Sequence, residues 1–249
     1  MKKILVLLIV ILVLAAGSLT VAFALFSNQA TSTGNTFAAA EVFSTPSPSP
    51  TPTPIPGITD HLVISEVQIT GGTGNTDQDF IELYNPTSSP KNLADHRLVK
   101  RATPSTTDTN VFVFNSSHTV PAHGYFLWAN SDSGFSASIS ADISSTDNIS
   151  TNDSVALRNG LVDTGTIVDA LAWGSTHASP LIEGSTFPTN PVANQSIERK
   201  ALFTSTQATM EGGVDASKGN GFDAGNNSTD FILRSISQPQ NSGSGTELP

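Results

Sequence analysis

From Thr59 onward no window of the chain sustains a helical period, and its apolar residues come in short runs broken by turn-forming clusters. The runs are Leu62–Ile69, Phe80–Tyr84, Leu93–Val99, Val111–Phe114, Tyr125–Ala129, Ser154–Arg158 and Thr166–Trp173. Between them lie Gly71-Gly72, Asn85-Pro86, Ser89-Pro90, Pro104, Pro121 and Asn159-Gly160. Short apolar runs spaced by Gly, Pro and Asn read as strands joined by turns. A parallel α/β sheet is disfavoured, because no crossover helix fits between the runs. The expected fold class is all-β, an antiparallel β-sandwich of seven short strands.

Composition narrows the function classes. Only 13% of the 249 residues are charged, and 19 Gly and 15 Pro beside 2 Met argue against a helical bundle. The absence of Cys excludes a disulfide framework, thiol catalysis and Cys-ligated metals. The net charge of −10 argues against nucleic acid as the main partner, because phosphate binding rests on a Lys/Arg surplus.

The N-terminal part reads as an export device. Lys2 and Lys3 precede the uninterrupted apolar run Ile4–Ala16, and Ala22-Phe23-Ala24 offers a small-x-small cleavage site. Residues 1–24 are therefore expected to be a signal peptide or, with residues 4–26 uncleaved, a membrane anchor. Both readings place the rest of the chain outside the cytoplasm, secreted or at the cell surface. A polar segment, 25–43, follows. In residues 44–57, Pro46, Pro48, Pro50, Pro52, Pro54 and Pro56 alternate with other residues, which removes N–H donors and fixes φ. That linker is expected to be polyproline II, a stalk of about 30–35 Å at roughly 3.1 Å per residue.

Two resemblances add to this reading. The stretch from Ala24 through Ser32-Thr-Gly-Asn-Thr-Phe37-Ala-Ala is similar to the leader and mature start of camelysin/TasA-type exported matrix proteins. In the folded part, Leu62–Val67, Asp79–Pro86 and Asn92–Leu98 resemble the opening of a lamin-tail domain. The family order continues with Val120–Ala129, Asn152–Leu157 and Val168–Gly174. His96 departs from it, since many members carry Trp there, and this is expected to loosen one wall of the core. Asn194–Arg199 and Asp223–Phe231 resemble the tail extension of bacterial members. The resemblance implies a compact immunoglobulin-like sandwich over residues 58–174 and its extension over 175–236; residues 237–249 are expected to be a disordered tail. It also implies a domain not known for catalysis, found on nuclear lamins and on bacterial surface or secreted proteins.

The remaining candidates are few. Period-2 alternation puts Phe80, Glu82 and Tyr84 on one face, so Glu82 needs a partner, with Arg97 or Arg101 the expected cation. Glu66 sits in a similar apolar strand, and the pair could instead form an acid/base dyad. Trp128 and Trp173 read as core, with a sugar-stacking platform as the other reading. Asp223, Asn227 and Asp230 offer spaced oxygen ligands in a glycine-containing loop, a candidate calcium site without EF-hand spacing. The His residues lack HExxH spacing, and no Gly-x-Ser-x-Gly elbow is present. No catalytic or cofactor-binding residue is expected, and calcium is the one cofactor considered. The function expected is a non-catalytic module with a binding, adhesion or structural role. Its partner would be a surface or matrix component, protein or polysaccharide. The alternatives are an accessory domain acting on polysaccharide or nucleic acid, and a matrix-fibre subunit.

Overall fold

The computed structural model describes residues 57–249. The expected signal or anchor segment 1–24, the camelysin/TasA-like stretch, the polar segment 25–43 and nearly all of the Pro-rich linker lie outside the described residues. Among the described residues, no helix is long and apolar enough to cross a membrane.

The described residues form twelve strands in chain order: β1 (Val63–Gln68), β2 (Phe80–Tyr84), β3 (Lys91–Asn92), β4 (His96–Arg101), β5 (Thr109–Val113), β6 (Thr119–Val120), β7 (Tyr125–Asn130), β8 (Ile143–Ser145), β9 (Ser154–Asn159), β10 (Thr166–Ala172), β11 (Ser196–Arg199) and β12 (Phe231–Arg234). They build a six-stranded sheet, β12-β11-β1-β2-β7-β8, a four-stranded sheet, β10-β9-β4-β5, and a small pair, β3-β6. All pairings are antiparallel except β7 with β8, which is parallel. The fold is the expected immunoglobulin-like sandwich, and the strands beyond the seven expected runs are short or come from the extension.

Alternation explains the core. Ile64, Val67, Ile81, Leu83, Phe126, Trp128 and Ile197 from one sheet meet Leu98, Val111, Val155, Leu157 and Leu171 from the other. Each fully buried aliphatic side chain contributes about 1.5–3 kcal/mol. Trp128 and Trp173 are both fully buried, as expected of core residues. The Trp128 indole N–H donates to the Ser145 hydroxyl (3.1 Å), which donates to the Val111 carbonyl (2.9 Å). One serine thus ties β8 of one sheet to β5 of the other. His96 stands half-exposed, bonded to the Ala94 carbonyl, and takes no part in the core.

The outer faces are covered as well. Phe80, Leu127 and Ala129 pack under Phe135, from the short helix Phe135–Ser138. On the opposite sheet, Val99, Ala156 and Ala170 pack under Leu181. That double burial leaves β1, β2 and β7 buried at every position. Residues 237–249 do not form the expected disordered tail. They run across the six-stranded sheet, with Ser237 bonded to Gln68, the Gln240 N–H to Glu82 and the Glu247 N–H to the His123 carbonyl. Two glutamates in the sheet below, Glu66 and Glu82, supply acceptors that the composition of the tail does not reveal.

Candidate functional site

Among the described residues, two of the buried clusters of chemistry-bearing side chains matter most here, one inside the sandwich and one on the outer face of the six-stranded sheet. The inner cluster grows from β11. Its alternation turns Ser196 and Glu198 outward and Ile197 and Arg199 inward. Arg199 is fully buried, and its guanidinium reaches Asp169 of the facing sheet through Nη2, at 2.7 and 2.8 Å. Its Nε donates to the Ile64 carbonyl (2.9 Å) and Nη1 to the Phe222 carbonyl (3.0 Å), while its Cζ lies 4.4 Å from the centre of the Phe231 ring. A β-bulge between Ile167 and Asp169 turns the carboxylate inward, where it also accepts from the Ile64 N–H (2.5 Å). One ion pair therefore joins the two sheets, with bonds that satisfy both partners, as a buried charge requires.

Asp223, His61 and Glu183 surround this pair. Asp223 lies 3.5 Å from Arg199 Nη1 and 3.5 Å from His61 Nε2. The bond to His61 and the charge of Arg199 outweigh burial and hold the Asp223 carboxyl down at about 2. The same bond raises the His61 imidazole above its ordinary value. Glu183 is pushed up to about 8 by burial and then by the charges of Asp169 and Asp223. Its Oε2 is buried without a hydrogen-bond partner among the described residues. Oxygens of Asp169, Glu183 and Asp223 lie within 4.8 Å of one another, a spacing that could hold a cation. The guanidinium of Arg199 already serves Asp169 and Asp223 in that role.

The expected calcium residues serve separate tasks here. Asp223 faces Arg199 and His61. Asn227 is fully buried; its Nδ2 donates to the Ala170 carbonyl (2.8 Å), and its Oδ1 accepts from the Ala172 N–H (3.1 Å). One side-chain amide thereby stands in for a neighbouring strand along the edge of β10. Asp230 Oδ2 accepts from the N–H groups of Ala224 (3.0 Å) and Asn226 (2.9 Å), which closes the loop on itself. Sequence reading missed Asp169, Glu183 and Arg199. Asp169 and Arg199 lay within quoted motifs, Val168–Gly174 and Asn194–Arg199, and a charged residue at an inward position of an apolar strand was the available signal.

The outer cluster is a row of three carboxyls on neighbouring strands. Glu66 of β1 stands directly opposite Glu82 of β2 on one side and Glu198 of β11 on the other. The expected pairing of Glu82 with Arg97 or Arg101 is not formed, because β4, which carries both arginines, belongs to the other sheet. Glu82 accepts instead from the Ser65 hydroxyl and the Gln240 N–H, both at 2.5 Å. Glu66 accepts from the Ser196 hydroxyl (2.5 Å) and the Gln238 N–H (3.0 Å). Glu198 is paired with Arg234 at 2.6 Å. Arg101 pairs with Asp108 (2.8 Å), Lys100 with Asp147 (2.8 Å), and Arg97 bonds Asn110 (3.1 Å).

Comparison with known proteins agrees with this architecture. Residues 58–175 match the family model of the Lamin Tail Domain. No curated protein matches the chain. A similar solved structure is that of a DUF4876 family protein from Bacteroides thetaiotaomicron VPI-5482, 10% identical in sequence, with a TM-score of 0.53. The match covers 76% of this chain and 74% of that one, and at this identity the likeness concerns the fold alone. The fold is thus an immunoglobulin-like β-sandwich of the lamin-tail type, and it is over residues 58–175 that the chain is similar to the Lamin Tail Domain family.

Proposed function

We propose that the chain is an exported, non-catalytic module that holds a lamin-tail-like sandwich away from the cell on a Pro-rich stalk, for binding, adhesion or a structural role at the surface or in the matrix. The observation that carries this reading is how the polar groups are spent. Arg199, Asp169 and Asn227 bond inward and join sheets and loops, while the outer-face carboxyls are engaged by Ser65, Ser196 and the chain's own C-terminal residues. Glu66 and Glu82 are at most 2% exposed, which disfavours the acid/base dyad reading. Export rests on Lys2, Lys3 and the apolar run after them. The partner expected is a surface or matrix protein or polysaccharide.

Protease shaving of intact cells tests the reading. Residues 57–249 should be lost from the cells while a cytoplasmic marker survives, and mass spectrometry of the released N-terminus separates a start near Leu25 from a retained anchor. A domain that resists protease until lysis would overturn the proposal.

A further inference from the structure

We propose that residues 236–248 are a proton-latched strap, closed over the six-stranded sheet while Glu66 and Glu82 are protonated and released when they ionise. The strap's two large apolar side chains point away from the sheet, with Ile236 72% and Leu248 66% exposed. Its grip on the sheet is polar: Ser237 to Gln68, the Gln238 N–H to Glu66, the Gln240 N–H to Glu82 and Glu247 to Tyr84 and Tyr125. Beyond the sheet, Ser242 bonds Asp142, Asn241 bonds the Ser140 carbonyl, and the Gly219 N–H donates to the Leu248 carbonyl. A segment with few buried apolar contacts sits at the low-stability end of a fold.

The groups beneath it make closure depend on protons. Glu66 faces Glu82 across one strand pair and Glu198 across the next, and like charges directly opposite one another destabilise a sheet. Beside the row, on β7 and β2, the Tyr125 hydroxyl donates to the Glu247 carboxylate of the strap and the Tyr84 hydroxyl to the Glu247 carbonyl. The cations are few. Arg234 of β12 is engaged by Glu198, and Lys218 of the neighbouring loop by Asp215. Glu211 adds further negative charge near Glu198. Glu198, Arg234, Asp215, Lys218 and Glu247, with Gln238 and Gln240 of the strap, border a polar cavity of about 70 Å³. Burial, then the charge of Glu198, pushes Glu66 up to about 7, and burial, then the charge of Glu66, holds Glu82 well above the ordinary range. The Gln238 and Gln240 N–H groups favour the ionised forms but do not offset burial and like charge. Lifting the strap returns both carboxyls to water and uncovers the Tyr84–Tyr125 pair, whose ring centres are 5.0 Å apart.

The sign follows from linkage. A carboxyl that ionises only in the open state makes opening about tenfold more favourable per pH unit between its open and closed pKa values. Hydrogen exchange on the full chain, corrected at each pH for the intrinsic rate, tests this. Protection of the Gln238 and Gln240 amides should fall about tenfold or more per unit between pH 5 and 7. Protection of β7 should hold steady, and in the Glu66→Gln/Glu82→Gln variant the strap should lose its pH slope. The proposal is overturned by strap protection that is flat in the unaltered chain, that falls in step with β7, or that keeps its slope in the variant. Should the double variant fail to fold, Glu66→Gln alone replaces it, and the comparison of strap with β7 in the unaltered chain remains decisive.

Discussion

Arg199 shows at the scale of a single residue what the buried charges do. Asp169→Ala would leave a guanidinium in the core with its main counter-ion gone, which costs about 3–5 kcal/mol. A drop of the urea midpoint at unchanged m-value would report it. The two titrating neighbours act at opposite ends of the pH scale. Asp223, held down at about 2, contributes stability above its unfolded value that is lost as pH falls toward 2. Asp223→Asn should therefore remove part of the acid limb of a stability profile. Glu183, raised to about 8, contributes stability that is fully present below its unfolded value near 4.5 and lost as pH rises toward 8. Glu183→Gln should flatten that stretch of the profile, and melting curves taken across pH decide both. The loop around Asp230 gives a third test. Its carboxylate is engaged by backbone N–H groups, so Asp230→Ala should lower the melting temperature equally in calcium and in chelator. A loss confined to calcium would instead support the metal reading. The acidic loop itself is legible in the sequence. Which donors each oxygen meets is not, because Arg199 and His61 reach Asp223 only once distant strands have packed.

Among the elements, alternation carries most of what the sequence reveals. Phe80, Glu82 and Tyr84 share the outer face of β2, and Ile81 and Leu83 the inner one, as the pattern requires. What the pattern hides is that the outer face is also covered, so the same strands are buried throughout. β11 is obscure for a related reason: Ser-Ile-Glu-Arg has one apolar residue, yet all four positions are buried, because Arg199 takes an inward place and brings its own counter-ions. Two substitutions probe this scale. Trp128→Ala removes a fully buried indole and the hydrogen bond it donates to Ser145, and should cost about 3–5 kcal/mol. An unchanged melting temperature would mark the ring as dispensable to the core. Asn227→Ala removes the surrogate strand from β10 and leaves the Ala170 carbonyl and Ala172 N–H without that partner. It should cost about 1–3 kcal/mol by denaturant titration.

The whole molecule poses the question of where the folding unit ends. The match to the Lamin Tail Domain model stops at residue 175, but β11 and β12 follow it and complete the larger sheet beside β1. Without them β1 would become an open edge, and a bare, largely apolar edge strand invites association. Ile197 and Phe231 would leave the core, and Asp169 would lose Arg199 while remaining in an apolar setting. The sequence resemblance marks Asn194–Arg199 and Asp223–Phe231 as an extension, which understates their place in the fold. A chain ending at Gly174 should therefore be aggregated or unfolded, whereas one ending at Ser235 keeps every strand, both sheets and the Arg199–Asp169 pair, and gives up only the polar strap. Circular dichroism melts and size-exclusion chromatography on the two truncations separate the cases. The expected outcome is a cooperative transition and a monomer-sized peak for the Ser235 form, and neither for the Gly174 form. A soluble, cooperatively melting Gly174 form would show that the ion pair between the sheets and the two added strands are dispensable to the sandwich.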